Sequence, residues 1–445
     1  MRLFPLVLAV VALRAQDSRA VREPVIPPAC ATLTAALAAA DNSRTIAEAD
    51  ESKLDTTRIQ QALDTCPASR AVVLKSSGAH HAFLSGPLDL RAGVALVVDA
   101  GTILFASRDA RLYEVRPGSC GIVSDSGRGC RALINGNEIS GAAIMGEGAI
   151  DGRGWAKVLG KTVSWWELAE EARIGGNQNC PRIAVLDRCN NFTLYRITLK
   201  NSPNFHVSYR NGDGFTAWGV IIKTPRTARN TDGIDPGPAN NVTITHCFID
   251  TGDDNVAIKA GGKCSHMTIA HNHFYNGHGM SIGSETSGGA DTIRVTDLSI
   301  DGADNGIRIK SNSGKGGKVT DVVYEDVCIR NTRNPIYMDC DYAHFGKQGD
   351  RLPWFTGITL KNVRILNGGR ITLQGFDEKH VLGMTFDGVW LDSLTDTKVI
   401  AEHAALSFLS TNLKVTGQNV SISGPQSKAS PNACSGKFVP MPPLQ

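Results

Sequence analysis

Between Asn230 and Lys310 the chain gathers groups that can move protons or hold charge. Asn230-Thr-Asp232-Gly-Ile-Asp235 is followed by Thr251-Gly-Asp253-Asp254-Asn255-Val-Ala-Ile-Lys259, then by Asn276-Gly-His278-Gly-Met-Ser-Ile-Gly283, and last by Gly306-Ile-Arg308-Ile-Lys310. Carboxylates held close together raise one another's pKa, so one can stay protonated as a general acid while another remains a base. Cleavage of a glycosidic bond is a reaction that needs such a pair. Each acidic motif alone reads as a turn, because Asn, Asp and Gly are ordinary turn residues. Both together, in step with His278 and Arg308-x-Lys310, read as a site.

A repeat must bring these motifs together. Asn241-Val-Thr-Ile-Thr-His-Cys-Phe-Ile aligns with His266-Met-Thr-Ile-Ala-His-Asn-His-Phe and with Thr292-Ile-Arg-Val-Thr-Asp-Leu-Ser-Ile, and weaker copies begin near Asn191, Lys318, Thr356 and Val381. Ile244, Ile269 and Val295 are 25 and 26 residues apart. Each unit holds two or three alternating apolar strands joined by Asn, Asp and Gly turns. No helix intervenes, which excludes doubly wound sheets and α/β barrels, and a propeller blade needs roughly 40 residues. The remaining architecture is all-β: a single-stranded right-handed parallel β-helix. Stacked strands lie about 4.8 Å apart, so matching positions in successive turns become neighbours. Asp253, His278 and Asp304 share a phase to within one residue, and Asp232 lies about one turn earlier. With Val256, Ile258, Ile307 and Ile309 facing inward, Lys259, Arg308 and Lys310 face outward by the period-two rule.

Outside the repeat, residues 1–15 read as a secretory leader: a basic Arg2, an apolar run from Leu3 to Leu13 and a small residue at Ala15. No later segment is apolar enough to span a membrane. A polar, Pro-rich stretch follows, then a helix from Asp55 to Cys66 with Ile59, Ala62 and Leu63 on one face and Asp55 to Thr57 as cap candidates. Such a helix suits the end of an open solenoid. Ser164-Trp-Trp-Glu167 is a capping box opening a second helix. The single domain spans residues 16–445, with an N-terminal cap to about 70 and an irregular tail from about 400. Eleven cysteines leave at least one unpaired within the chain. Cys30 with Cys66 and Cys120 with Cys130 bracket candidate staples, whereas Cys247, Cys328 and Cys340 fall in apolar strand patterns and read as buried free thiols.

The formal net charge is only +3, so electrostatic arguments must be local. Lys223, Arg226, Arg229, Lys259, Lys263, Lys315 and Lys318 surround the motifs with positive charge that would concentrate a polyanion. Nucleic acid is set aside because aromatics for base stacking are missing. His271 and His273 lie two apart, but no carboxylate or cysteine completes a metal site at ligand spacing. The sequons at Asn191, Asn241 and Asn419 sit at strand starts and read as turns.

Taken with Asp17-Ser-Arg19, Asn201-Ser-Pro-Asn204-Phe205-His206, Asp213-Gly-Phe-Thr-Ala-Trp218 and the Ser164 box, these motifs resemble the polygalacturonases of glycoside hydrolase family 28, and among them the secreted bacterial endo-acting members. The resemblance covers nearly all of the chain after the leader. It implies the right-handed parallel β-helix and no metal or other cofactor. It also implies hydrolysis of α-1,4-D-galacturonosidic bonds in polygalacturonate with inversion. Asp253 would be the general acid, Asp232 and Asp254 would position and deprotonate the attacking water, and His278 would support the acid. Arg308 and Lys310, with Lys259 nearby, would hold the substrate carboxylate; Tyr342 would flank the cleavage point, and Asn230 would bind sugar or orient Asp232. The Cys30–Cys66 and Cys120–Cys130 pairings accord with the bacterial relatives. The chain departs from them in its tail after about Val399, with Cys434, and in its surplus of central cysteines. Polygalacturonate is the implied partner, and the enzyme is expected to be a secreted monomer. Exo action, a rhamnogalacturonan substrate, a calcium-dependent pectate lyase and a non-catalytic solenoid are the alternatives. The first lacks a long insertion to close the groove, the lyase lacks its motifs, and the solenoid would not need three aspartates.

Overall fold

The computed structural model describes residues 16–39, 45–342, 349–425 and 431–444, so the leader expected over residues 1–15 lies outside the described residues. Among the described residues, 32 strands join in one continuous sheet that winds into a right-handed parallel β-helix. Strand Ala184–Asp187 pairs in parallel with Val207–Arg210, which pairs in turn with Ile234–Pro236, Val256–Ile258, Met280–Ile282, Asn305–Lys310 and Asn334–Asp339. This run of rungs carries the four motifs. Coiling begins well before the repeat became visible at Asn191: Ala29–Thr34 pairs with Arg70–Lys75, and that strand with Val94–Val98.

The interior is built from aliphatic columns. Ile234, Val256, Met280, Ile307 and Ile336 follow one another in register, and all are fully buried. Ile244, Ile269, Val295, Tyr324, Leu360 and Phe386 form a second such column, also fully buried. Each Ile, Val, Leu, Met or Phe of these columns stabilises the fold by roughly 1.5–3 kcal/mol relative to exposure, and the period-two alternation leaves the intervening residues outside.

The corners repeat as strictly as the strands. Asn241, His266, Thr292 and Asp321 occupy one corner position in successive rungs with φ between 51° and 55°. His246, His271, Asp297, Asp326 and Asn362 occupy the next corner, also with positive φ. Asn191 and Asn419 share this left-handed conformation, which accounts for sequon-like Asn residues at strand starts: Asn tolerates it better than most side chains.

Helix α1 (Thr56–Thr65) lies where the periodicity predicts it and buries Ile59 and Leu63 against the first rungs. Its N-terminus differs from expectation. The Asp55 carboxylate does not cap the helix; it accepts from the Leu84 N–H at 2.9 Å and pairs with Arg58 at 2.6 Å, fastening the helix to the sheet. Helix α2 (Trp165–Glu171) opens on the expected reciprocal capping box between Ser164 and Glu167.

Two expectations are corrected. Cys328 is not a free thiol; it is bonded to Cys434, whereas Cys247 and Cys340 are buried and free. Its strand position hid a partner 106 residues away. Nor is the chain irregular from about residue 400. Thr397–Thr411 and Thr416–Ser423 add further parallel pairings, and the irregular tail begins only after them. The Cys30–Cys66 and Cys120–Cys130 bonds are both present.

Candidate active site

Three successive rungs turn into the site at the same corner. Asp232, Asp254 and His278 each stand two residues before a strand start, namely Ile234, Val256 and Met280, which are in register. Asp253 and Asp304 stand one position further back. The phase expected from residue counting therefore holds to within one residue. The corners are pinned by Asn255, which is fully buried. Its amide donates to Ile249 O at 2.9 Å and Tyr275 O at 3.2 Å, and its oxygen accepts from Gly279 N at 2.8 Å. Glycines flank His278 because the rungs approach closely: a Cβ on Gly279 would lie 2.2 Å from Gly306 O, and its φ is +73°.

Asp254 is the centre of the charge network, with 1% side-chain exposure. It accepts from Arg308 Nη1 at 3.1 Å, Lys310 Nζ at 2.9 Å and Ser281 Oγ at 2.7 Å. Burial favours its neutral form, yet Lys310, Arg308 and Lys259 outweigh burial and hold it ionised well below the usual carboxylate range. Lys259 Nζ lies 3.1 Å from Asp232, 3.8 Å from Asp235 and 3.7 Å from Asp254. Burial, reinforced by the charge on Asp253, pushes Asp232 up to about 7 despite Lys259. Asp235 is likewise raised by burial, and neither of its carboxylate oxygens has a hydrogen-bond partner among the described residues. Asp232, Asp235, Asp253, Asp254 and Asp304 thus stand among four fixed cations, Arg226, Lys259, Arg308 and Lys310.

Asp253 has a different environment. Its side chain is 18% exposed, against 3% for Asp232 and 1% for Asp254. It opens on a cleft of about 870 Å³ lined also by His278, Asp304, Arg226, Trp155 and Trp166. Its Oδ1 lies 3.0 Å from His278 Nδ1, while His278 Nε2 lies 3.7 Å from Asp304. Burial would raise Asp253, but the hydrogen bond and charge of His278 outweigh it and bring it below its ordinary value. Reciprocally, burial acts to lower His278, and the Asp253 carboxylate overrides it to raise the imidazole.

Of the other expected residues, Arg308, Lys310 and Lys259 do lie outside the apolar core, but they are engaged with Asp254 and Asp232 rather than free in solvent. Tyr342 covers two of them: Arg308 Nη2 donates to its hydroxyl at 3.3 Å, and the Lys310 ammonium lies 5.2 Å from its ring. Asn230 does not orient Asp232; it makes no hydrogen bond with it and lines a recess with Arg182 and Phe205. Sequence reasoning passed over Asp235 and Ser281, although the alternation that turned Arg308 outward applies equally to these register partners. Asp253, Asp254 and His278 offer donor atoms within 4.8 Å of one another. Asp254 already neutralises two cations, so this set does not suit a metal ion.

Residues 84–408 match the family described as Glycosyl hydrolases family 28. The chain is 44% identical over 383 residues to the "Endo-polygalacturonase" of Pectobacterium carotovorum subsp. carotovorum, covering 85% of this chain and 90% of that one. It is 36% identical to the "Polygalacturonase" of Ralstonia nicotianae, covering 95% and 92%. The solved structure of the polygalacturonase from Erwinia carotovora ssp. carotovora superposes with a TM-score of 0.81 at 42% identity, covering 88% of this chain and 99% of that one.

Proposed function

The chain belongs to the glycosyl hydrolases of family 28, and on that premise we propose that it is an endo-polygalacturonase, cleaving α-1,4 bonds within polygalacturonate with inversion at the anomeric carbon. The observation that carries this reading is the division of labour among three neighbouring carboxylates. One opens on the cleft and is hydrogen-bonded to a histidine, and two are buried beside cations suited to a uronate carboxylate. A bidentate guanidinium with a neighbouring ammonium is a natural partner for that group.

In the proposed reaction Asp253 delivers a proton to the glycosidic oxygen as the bond from the anomeric carbon breaks. His278, hydrogen-bonded to Asp253, is the source of this proton; the negative charge of the leaving oxygen draws it onto Asp253, and His278 ends neutral. Water on the opposite face of the ring gives a proton to the Asp232–Asp254 pair and attacks the anomeric carbon. Arg308, Lys310 and Lys259 hold the uronate carboxylate, with Tyr342 against the ring. A second reading, with Asp232 as the acid, has its raised pKa in favour. Its carboxylate, however, is buried against Lys259, whereas Asp253 opens on the cleft.

The disulfides and the expected leader support export, and no helix among the described residues is long and apolar enough to cross a membrane. We take the enzyme to act as a secreted monomer. The test is digestion of polygalacturonate in EDTA, following viscosity and reducing ends together. A steep viscosity loss at few cleaved bonds is expected. Steady release of small sugars with little viscosity loss would mean exo action, and dependence on added calcium would overturn the hydrolase assignment.

A further inference from the structure

The column of corner residues that holds Asp254 and Asp232 continues toward the N-terminus through Phe205 to Arg182, each two residues before a strand in register. Arg182 therefore lies two rungs, roughly 10 Å, from Asp232. Its guanidinium stacks 4.6 Å from the Phe205 ring and has no hydrogen bond or ion pair to a described residue. It is not left without surroundings. Arg182 and Asn204 stand between two recesses of about 460 and 170 Å³. The larger is walled by Arg128, Arg131 and Arg210 with no carboxylate among its lining residues. Asp89 and Asp187 meet Arg131 and Arg210 from outside it, at 2.6 and 3.5 Å. The smaller recess runs to Asn230 and is lined by Gln178. That residue is only 6% exposed, and both its amide nitrogen and its amide oxygen are buried without a partner.

A buried amide with neither end satisfied is costly, and beside an unpaired guanidinium it marks a place completed by a ligand. We propose that Arg182, Gln178 and Asn204 form a carboxylate-binding subsite remote from the cleavage point, which takes a further uronate unit of the same polymer. Arg182 binds the carboxylate, Gln178 and Asn204 bind the sugar's polar edge, and the surrounding arginines draw the anionic chain along the groove. This rests on the polygalacturonate reading and adds to it a basis for preferring long chains. The motif Asn201-Ser-Pro-Asn204-Phe205-His206 thereby gains a role: it sets Phe205 beneath Arg182 and Asn204 between the recesses.

The test measures binding of galacturonate oligomers to the Asp253→Asn protein by calorimetry, with and without Arg182→Ala. Hexamer affinity should fall about ten- to hundredfold, with dimer affinity unchanged. On the methyl-esterified hexamer, which has no charge for Arg182 to meet, the two proteins should converge. Gln178→Ala, which removes no charge and less volume, should give a smaller loss with the same dependence on length. An unchanged hexamer affinity would overturn the subsite, as would equal losses on dimer and hexamer or a loss that persists on the ester. If the Asp253→Asn parent binds no oligomer of any length, the polygalacturonate reading itself fails and takes the subsite with it.

Discussion

Of Asp232, Asp253 and Asp254, Asp253 is the one that opens on the cleft, and asparagine in its place keeps the shape while removing the proton. Asp253→Asn should lower turnover about 10²- to 10⁴-fold with an unchanged unfolding transition. A galacturonide with a good leaving group, which needs no protonation, should recover most of the loss; rescue of Asp232→Asn instead would reverse the two roles. Arg308 bonds Asp254 and, in the proposed reaction, also holds the uronate carboxylate. Arg308→Ala should raise KM for the polymer and also lower kcat, because Asp254 loses one of the cations that keep it ionised. A rise in KM with kcat untouched would show that Lys310 and Lys259 suffice. Asp232 links the site to stability. Its folded-state pKa lies above the ordinary aspartate value, so between about pH 4 and 7 the unfolded chain ionises it while the folded protein keeps its proton. The group therefore subtracts stability as pH rises through that window. Asp232→Asn should remove this loss, on the order of a few kcal/mol at pH 7; parallel pH profiles in denaturant would contradict the assignment.

At the scale of the element, what the fold requires is a left-handed residue at the same corner of each rung. Asn241 and His266 meet that requirement with side chains that tolerate it, whereas Thr292 is β-branched at φ 55°. Thr292→Asn should stabilise the protein by about 1 kcal/mol, read from its denaturation midpoint; a loss of stability would mean that packing at this corner outweighs the backbone preference. These corner residues are also why the architecture was legible. The aligned copies beginning at Asn241, His266 and Thr292 each start on one. The copies were lost before Asn191, where strands shorten and the long segments carrying both helices interrupt the period. The phase of Asp253, His278 and Asp304 followed from the same count. What counting could not supply was the pairing of charges. Outward-facing Arg308 and Lys310 look solvated in a sequence, and only the stacking of rungs puts them against Asp254. Arg182 and Gln178 escaped notice because neither belongs to a motif; their meaning comes from missing partners, which a sequence does not record.

Across the whole molecule, described segments near both ends of the chain are tied back onto the coil. Near the N-terminus, Asp17 accepts from Thr243 Oγ1 at 2.7 Å and Ser18 donates to Asn241 at 2.7 Å. At the other end, Arg364 donates to Asn432 O at 3.0 Å, Phe438 lies under Arg330 at 4.2 Å, Tyr275 donates to Val439 O at 2.8 Å, and Cys434 is bonded to Cys328. Both ties join residues far apart in sequence, which is why the tail read as irregular and Cys328 as unpaired. Cys434→Ser should cost about 2–4 kcal/mol, measured by thermal unfolding; an unchanged midpoint would mean that the noncovalent contacts hold the tail unaided. In the proposed reaction, within the groove that this scaffold holds still, one carboxyl protonates the leaving oxygen while a carboxylate pair delivers water from the other face. Proton NMR of the anomeric signals during the first minutes of oligogalacturonate hydrolysis tests it most directly. The β-anomer of the newly formed reducing end should appear first and relax to the equilibrium mixture. An α-anomer appearing first would mean retention, and with it a covalent intermediate that contradicts the roles assigned to Asp232, Asp253 and Asp254.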